Sequence, residues 1–316
     1  MTGRLLHTGN AVIDVVLEVP YLPERGGDVL AERTSTTPGG GHNVMAAAAR
    51  QGAAVVYAGA HGSGPFGDQA RAALRAEGIE ILLPPRADLD TGFVTCLIDP
   101  EGERTFVTSP GAEATLGPND LDALKPAPDD VVYITGYSLM YPPNRAAISA
   151  WLPGIDASAT VVVDPGPLAD QIPAPTMDLM LTRADWFSCN SREATLLTGR
   201  DDPNDAIRAL ARHLTRGSAL VRTGAEGCLL LQDGALDGAV DVVPGFAVAA
   251  VDLNGAGDAH TGTFIAALLT GQDPQTAARH ANAAAALATT TRGPATAPDA
   301  QELADFLRSH ESDPKP

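Results

Sequence analysis

The chain has 316 residues, 44% of them apolar and 4% aromatic, which is enough for a large core filled by Ala, Val and Leu rather than rings. A net charge of -18 repels nucleic acid, and it obliges any phosphate site to use local devices: a helix N-terminus, a metal ion or single arginines. Lysine occurs only at Lys125 and Lys315, so a Walker A loop, a protein-kinase strand lysine and a Schiff-base lysine are all excluded. Cys96, Cys189 and Cys228 lie far apart, with neither zinc spacing nor a paired framework, and point to a reducing cytoplasm. No signal peptide and no membrane-length apolar stretch is read, so no membrane partner is expected.

In chain order, residues 5–19 read as a strand bent at Gly9 and Asn10, and residues 29–36 alternate as a half-buried strand does. Gly39-Gly40-Gly41 opens a helix of small residues over 43–52, followed by a strand at 55–60 and a helix at 68–78. Residues 91–99 and 104–109 flank Pro100-Glu101-Gly102, a hairpin signal. The apolar runs 131–135, 161–164 and 185–189 suit a buried parallel sheet. Helices are predicted over 191–198 and 202–216, and strands over 219–222, 227–232 and 246–251. Gly255-Ala256-Gly257 then leads into helices at about 259–270 and 274–290. This alternation predicts an α/β three-layer sandwich with a central, mostly parallel sheet, in one domain over 1–316. The strands at about 12–36 and 91–110 break the rhythm and are expected to form a separate small sheet, a lid.

The segment Asp252-Leu253-Asn254-Gly255-Ala256-Gly257-Asp258 joins a strand to a helix start. Its glycines allow close backbone approach, and free N–H groups with the helix dipole favour an anion. A carboxylate there can take a proton from an attacking hydroxyl, although Asp258 alone reads as a helix cap. Gly39-Gly40-Gly41-His42-Asn43 also joins a strand to a helix, and Asn43 suits sugar hydroxyls.

Together the two segments resemble the signature regions of the ribokinase-like (PfkB) carbohydrate kinase family: Gly-Gly-x-x-Asn, and Asp-Thr-x-Gly-Ala-Gly-Asp with Leu253 in place of Thr. Asp14, Asp164-Pro165, Asn190-Ser191-Arg192-Glu193, Thr223-Gly224-x-x-Gly227 and Asn282 follow the family in order, over roughly residues 5 to 308. The resemblance implies transfer of the γ-phosphate of ATP to a hydroxyl of a small sugar-like molecule. Asp258 would be the base, and the N–H groups of Ala256, Gly257 and Asp258, in the turn that Gly255 opens, would stabilise the phosphoryl group. Asp14, Gly40, Gly41 and Asn43 would hold the acceptor, and Asn190 and Glu193 would hold Mg2+, partly through water. Thr223, Gly224, Gly227, Asn190 and Asn282 would border the nucleotide. Arg104 on the hairpin is within reach of substrate or phosphate; by itself it reads as a solvated strand arginine. Members of the family often bind a monovalent cation such as K+, which Leu253 leaves open here. His42 stands where ribokinase has Lys, and Arg222 replaces a smaller residue before Thr223. Lid edges pair in some members, so a homodimer through the lid and a monomer are both open.

A nucleoside is the alternative acceptor within the family. Two readings of other classes stand beside it. Gly62-Ser63-Gly64-Pro65-Phe66-Gly67 matches a dinucleotide fingerprint, with Asp88 about the expected distance on, although Pro65 removes one N–H. A non-catalytic sugar-binding protein of the same fold is the other.

Overall fold

The computed structural model describes residues 3–215, 217–232 and 239–311. The first half runs β1 (Arg4–His7), β2 (Ala11–Glu18), β3 (Arg33–Gly40), α1 (Gly41–Arg50), β4 (Ala54–Tyr57), α2 (Pro65–Ala76), β5 (Glu80–Ile81), β6 (Phe93–Ile98), β7 (Arg104–Ser109), α3 (Pro118–Ala123), β8 (Val131–Thr135), α4 (Gly136–Met140) and α5 (Pro142–Trp151). The second half runs β9 (Thr160–Asp164), α6 (Ala174–Arg183), β10 (Trp186–Asn190), α7 (Ser191–Thr198), α8 (Pro203–Ala211), β11 (Ser218–Arg222), β12 (Gly227–Leu231), β13 (Asp241–Pro244), α9 (Ala256–Leu269), α10 (Pro274–Thr289) and α11 (Ala300–Glu311).

Nine strands form the main sheet in the order β13-β12-β11-β10-β9-β8-β1-β4-β5. All pairings from β11 to β5 are parallel, and β12 and β13 are added antiparallel at one edge. Successive side chains of a strand face opposite sides. Val132 and Ile134 accordingly join the core under α5 to α8, while Val131 and Tyr133 join the core under α1, α9 and α10. Three layers result, as predicted. Ala277, Ala278 and Ala281 carry much of the second core, with Trp186 edge-on to Phe264 at 4.9 Å as one of its few ring contacts.

The small sheet is the expected lid, in the order β3-β2-β6-β7. The single strand predicted over 5–19 is two strands in two sheets, and Gly9 and Asn10 are where the chain leaves one for the other. The strand predicted over 246–251 is irregular, and β13 lies just before it. The N–H groups of Val251 and Asp252 both donate to Thr289 O, at 2.7 and 3.0 Å, so the end of α10 takes donors that a sheet would have used. The helix predicted over 202–216 ends at Ala211, and Arg216 lies outside the described residues.

Candidate active site

In an open parallel sheet, ligands bind beyond the carboxyl ends of the strands, where the strand order reverses. Here the reversal is at β1, flanked by β4 and β8. The N-termini of α1, α7 and α9 gather at this end. Helix α1 reaches α9 closely because position 262 is glycine: a Cβ there would lie 2.3 Å from Val44 O. That approach brings the two candidate segments into contact. Asn43 Nδ2 donates to Asp258 Oδ2 at 2.9 Å, across 215 residues of sequence. Asn43 Oδ1 is buried and has no partner among the described residues.

Gly255 caps α9 in the left-handed region at φ 77°, and a Cβ would lie 1.8 Å from Pro294 O. Glycine is therefore required by conformation and by space. The Ala256 N–H closes a turn onto Leu253 O at 3.3 Å. Among the described residues, the N–H groups of Gly257 and Asp258 have no backbone or side-chain acceptor. Of the three N–H groups expected to be available, those of Ala256, Gly257 and Asp258, the last two are therefore free among the described residues. Leu253 is 71% exposed at its rim. Burial, with Asp164 nearby, pushes the Asp258 carboxyl up to about 6, against the pull of Asn43 and Arg222.

Asn190 and Glu193 form a reciprocal capping box on α7: Glu193 N–H donates to Asn190 Oδ1 at 2.9 Å, and Asn190 N–H donates to Glu193 Oε2 at 2.8 Å. Burial raises the Glu193 carboxyl, and neighbouring Asp164 adds to the rise. Arg222, at the end of β11, sits among these groups. Its Nη1 donates to Ser188 Oγ at 2.7 Å, Asp164 Oδ2 at 3.1 Å and Thr261 Oγ1 at 3.1 Å, and its Nη2 lies 3.6 Å from Glu193 Oε2. Sequence reasoning noted Arg222 as a departure but assigned it no role. The signal available was its place one residue before the Thr223-Gly224 turn.

On the lid side, Asp14 in β2 pairs across the sheet with Thr37. A Cβ at Gly39 would lie 2.3 Å from Asp14 Oδ2, so glycine makes room for the carboxylate. Burial raises the Asp14 carboxyl to about 6. Gly41 N–H donates to Asn10 Oδ1 at 3.3 Å, and Gly40 turns the chain at φ 60°. Arg104 in β7 donates from Nη2 to Asp252 Oδ1 at 2.5 Å, tying the lid to the cradle segment. Asp252 also accepts from Asn254 N–H at 2.9 Å and Gly293 N–H at 3.1 Å.

Thr223, Gly224 and Gly227 shape the turn from β11 to β12, where Thr223 N–H donates to Gly227 O at 2.8 Å. A Cβ at Gly227 would lie 2.2 Å from Val243 O, which lets β13 close on the turn. Asn282 is fully committed within the protein. Its Nδ2 donates to Val243 O at 3.0 Å and Pro244 O at 3.1 Å, and its Oδ1 meets His260 Nε2 at 3.1 Å. Burial lowers His260 to about 3, so it is a neutral partner. In the loop 62–67, the N–H groups of Phe66 and Gly67 already donate to Asp90 at 3.1 and 2.8 Å. A carboxylate thus fills the place a pyrophosphate would take in the dinucleotide reading.

Small-residue helices, a Gly-Ala-Gly-Asp cradle and a lid over one sheet end define a phosphotransferase of the sugar-kinase kind. The chain belongs to the pfkB family carbohydrate kinases, matching that family over residues 3–301. It is 30% identical to the uncharacterised sugar kinase YegV of Escherichia coli (strain K12), over 96% of this chain and 98% of that protein. It is 31% identical to the ATP-dependent ribose-1-phosphate kinase of Halopiger xanaduensis, again over 96% and 98%. The fold matches the crystal structure of ribokinase from Thermotoga maritima with a TM-score of 0.83, at 24% identity over 96% and 99%.

Proposed function

We propose that this carbohydrate kinase uses ATP to phosphorylate a hydroxyl of a small, uncharged, sugar-like acceptor, with Asp258 as general base. The observation that carries the reading is the 2.9 Å contact from Asn43 to Asp258, which joins acceptor side and phosphoryl side in one site. Asp258 takes the hydroxyl proton as the acceptor oxygen bonds to the γ-phosphorus. The bond from that phosphorus to the bridging oxygen breaks, and ADP leaves. The free N–H groups of Gly257 and Asp258 face the charge that develops on the phosphoryl oxygens. Asn43 holds Asp258 and offers its unpartnered Oδ1 to an acceptor hydroxyl.

An uncharged acceptor follows from the charges around it. Asp14 and Asp258 line its side, and the nearby Arg104 is already paired with Asp252. A phosphate-bearing acceptor, such as the one named for the Halopiger relative, would meet carboxylates there. The donor set does not fit a metal ion ligated by side chains. Among the described residues no group of three His, Cys, Asp or Glu is arranged for one, and Glu193 and Asp164 are already paired with Arg222. Magnesium would arrive with ATP, and Asn190 and Glu193 are the residues that would hold it through water. At Asp252 the Arg104 guanidinium, rather than a monovalent cation, is the counter-charge.

Phe106 and Val107 are exposed on the edge strand β7, which supports pairing of two lids, tested by mass from light scattering. All three cysteines are free and buried, which supports a reducing cytoplasm, tested by fractionation. The deciding experiment for the activity is a screen of sugars, sugar acids, sugar phosphates and nucleosides for acceptor-dependent ADP release. Turnover confined to phosphorylated sugars would overturn the uncharged acceptor, and none with any acceptor would overturn the kinase reading.

A further inference from the structure

We propose that Arg222 is the fixed cation of the phosphoryl-transfer site and donates from Nε and Nη2 to the γ-phosphate of bound ATP. The inference rests on the kinase reading and adds a residue to it.

The guanidinium cannot turn. Three acceptors from three different elements, Asp164 at the end of β9, Ser188 in β10 and Thr261 in α9, all bind the same nitrogen, Nη1. The other two nitrogens are left over. Among the described residues neither Nε nor Nη2 makes a hydrogen bond, and Nη2 has only the longer 3.6 Å approach to Glu193. An arginine needed only to neutralise Asp164 and Glu193 would present its paired fork to them, two parallel bonds to one carboxylate. Arg222 instead anchors one corner, and its opposite edge donates no hydrogen bond among the described residues, with Glu193 Oε2 3.6 Å from Nη2. That edge faces the cradle: a Cβ built on Gly257 would lie 3.8 Å from Arg222 Nε. Gly257 is one of the two residues with an unused N–H there.

Charge points the same way. Asp14, Asp164, Glu193 and Asp258 converge on a site that must admit a polyphosphate. Arg222 lies close enough to Asp258 to pull its carboxyl down and is itself held charged by Asp164 and Glu193. With the side chain only 12% exposed, its field is poorly screened by water. A planar, always-charged fork held in place before the substrate arrives loses little on binding phosphate. It also explains why the Asp164 and Glu193 carboxylates are not free to ligate a metal.

Calorimetric titration with ATP and with ADP, in excess EDTA and then in magnesium, tests this on the wild type, Arg222→Lys and Arg222→Gln. Melting temperature is followed for each. In EDTA the wild type is expected to bind ATP about tenfold more tightly than ADP, because the γ-phosphate alone reaches Arg222. Arg222→Gln should lose that preference, and its kcat in magnesium should fall by about 10²–10³, with Arg222→Lys recovering part of both. Equal binding of ATP and ADP by the wild type in EDTA would overturn the proposal even if the Gln variant fails to fold. So would a folded Gln variant with undiminished kcat. Acceptor-dependent ADP release by the same wild-type preparation separates the two levels: its absence refutes the kinase reading, whereas release without an ATP preference in EDTA refutes only the role of Arg222.

Discussion

The proposed base, Asp258, has surroundings that raise its carboxyl to about 6, above the usual carboxylate value. It must be ionised to accept a proton, so kcat should fall about tenfold per pH unit below that value and level off above it. The effect on stability has the opposite sense. A raised folded-state value means the folded chain holds the proton more tightly than the unfolded chain; that contribution is fully present below the ordinary carboxylate value and lost as pH rises through about 6. Asp14 behaves alike. Acidifying from 7 to 5 should therefore inactivate the enzyme with no loss of melting temperature from these two groups, checked by rate and by circular dichroism on the same samples. Asp258→Asn should lower kcat by about 10³ while ATP affinity changes by less than about threefold. Turnover within tenfold of wild type in that variant would remove Asp258 from its assigned role.

At the level of elements, the shape of the site depends on two glycines. Gly262 sets how near α1 comes to α9, and Gly255 starts α9 where a side chain would strike Pro294 O. Gly262→Val should push the helices apart, break the Asn43 to Asp258 hydrogen bond and cost about 2–4 kcal/mol in stability, measured by urea unfolding. Its kcat should fall more than its affinity for ATP, since the turn at Thr223 to Gly227, proposed to border the nucleotide, belongs to other elements. An unchanged kcat in a folded Gly262→Val protein would mean that the Asn43 contact does not position the base. Helix α7 shows the reverse dependence. Its Asn-x-x-Glu motif is spent on its own capping box, and Arg222 supplies the charge beside it.

For the molecule as a whole, the small sheet meets the body through an ion pair, Arg104 to Asp252, and through the ring contact of Phe93 with Phe66 at 5.2 Å. The ion pair spans 148 residues, is only partly exposed and ties β7 to the segment that leads into α9. Arg104→Ala should raise KM for the acceptor about tenfold and speed amide exchange in β6 and β7, with a stability loss of about 1 kcal/mol or less. Because the guanidinium already serves Asp252, exchanging K+ for Na+ should alter the rate by less than about twofold. A large K+ activation would show that Arg104 leaves Asp252 during turnover.

Much of this was legible in the sequence, because it is written in local chemistry. Periodicity and apolar runs are set by near neighbours, so the parallel sheet, the lid hairpin and the family signatures could be read without coordinates. Gly255-Ala256-Gly257-Asp258 announced a cradle because glycine spacing and helix start are adjacent in the chain. What tertiary structure alone decided depends on partners far apart in sequence. The bend at Gly9 and Asn10 proved to be a change of sheet. Strand β13 replaced the predicted 246–251, because the end of α10 claims the N–H groups of Val251 and Asp252. Asn282 proved to be spent on Val243, Pro244 and His260. Arg222, marked in the sequence only as a larger residue before Thr223, became a candidate for phosphate contact when folding set Asp164, Ser188, Glu193 and Thr261 around it. A sequence states which charges a chain carries; the fold decides which of them face one another out of water, where their interaction is strong enough to matter.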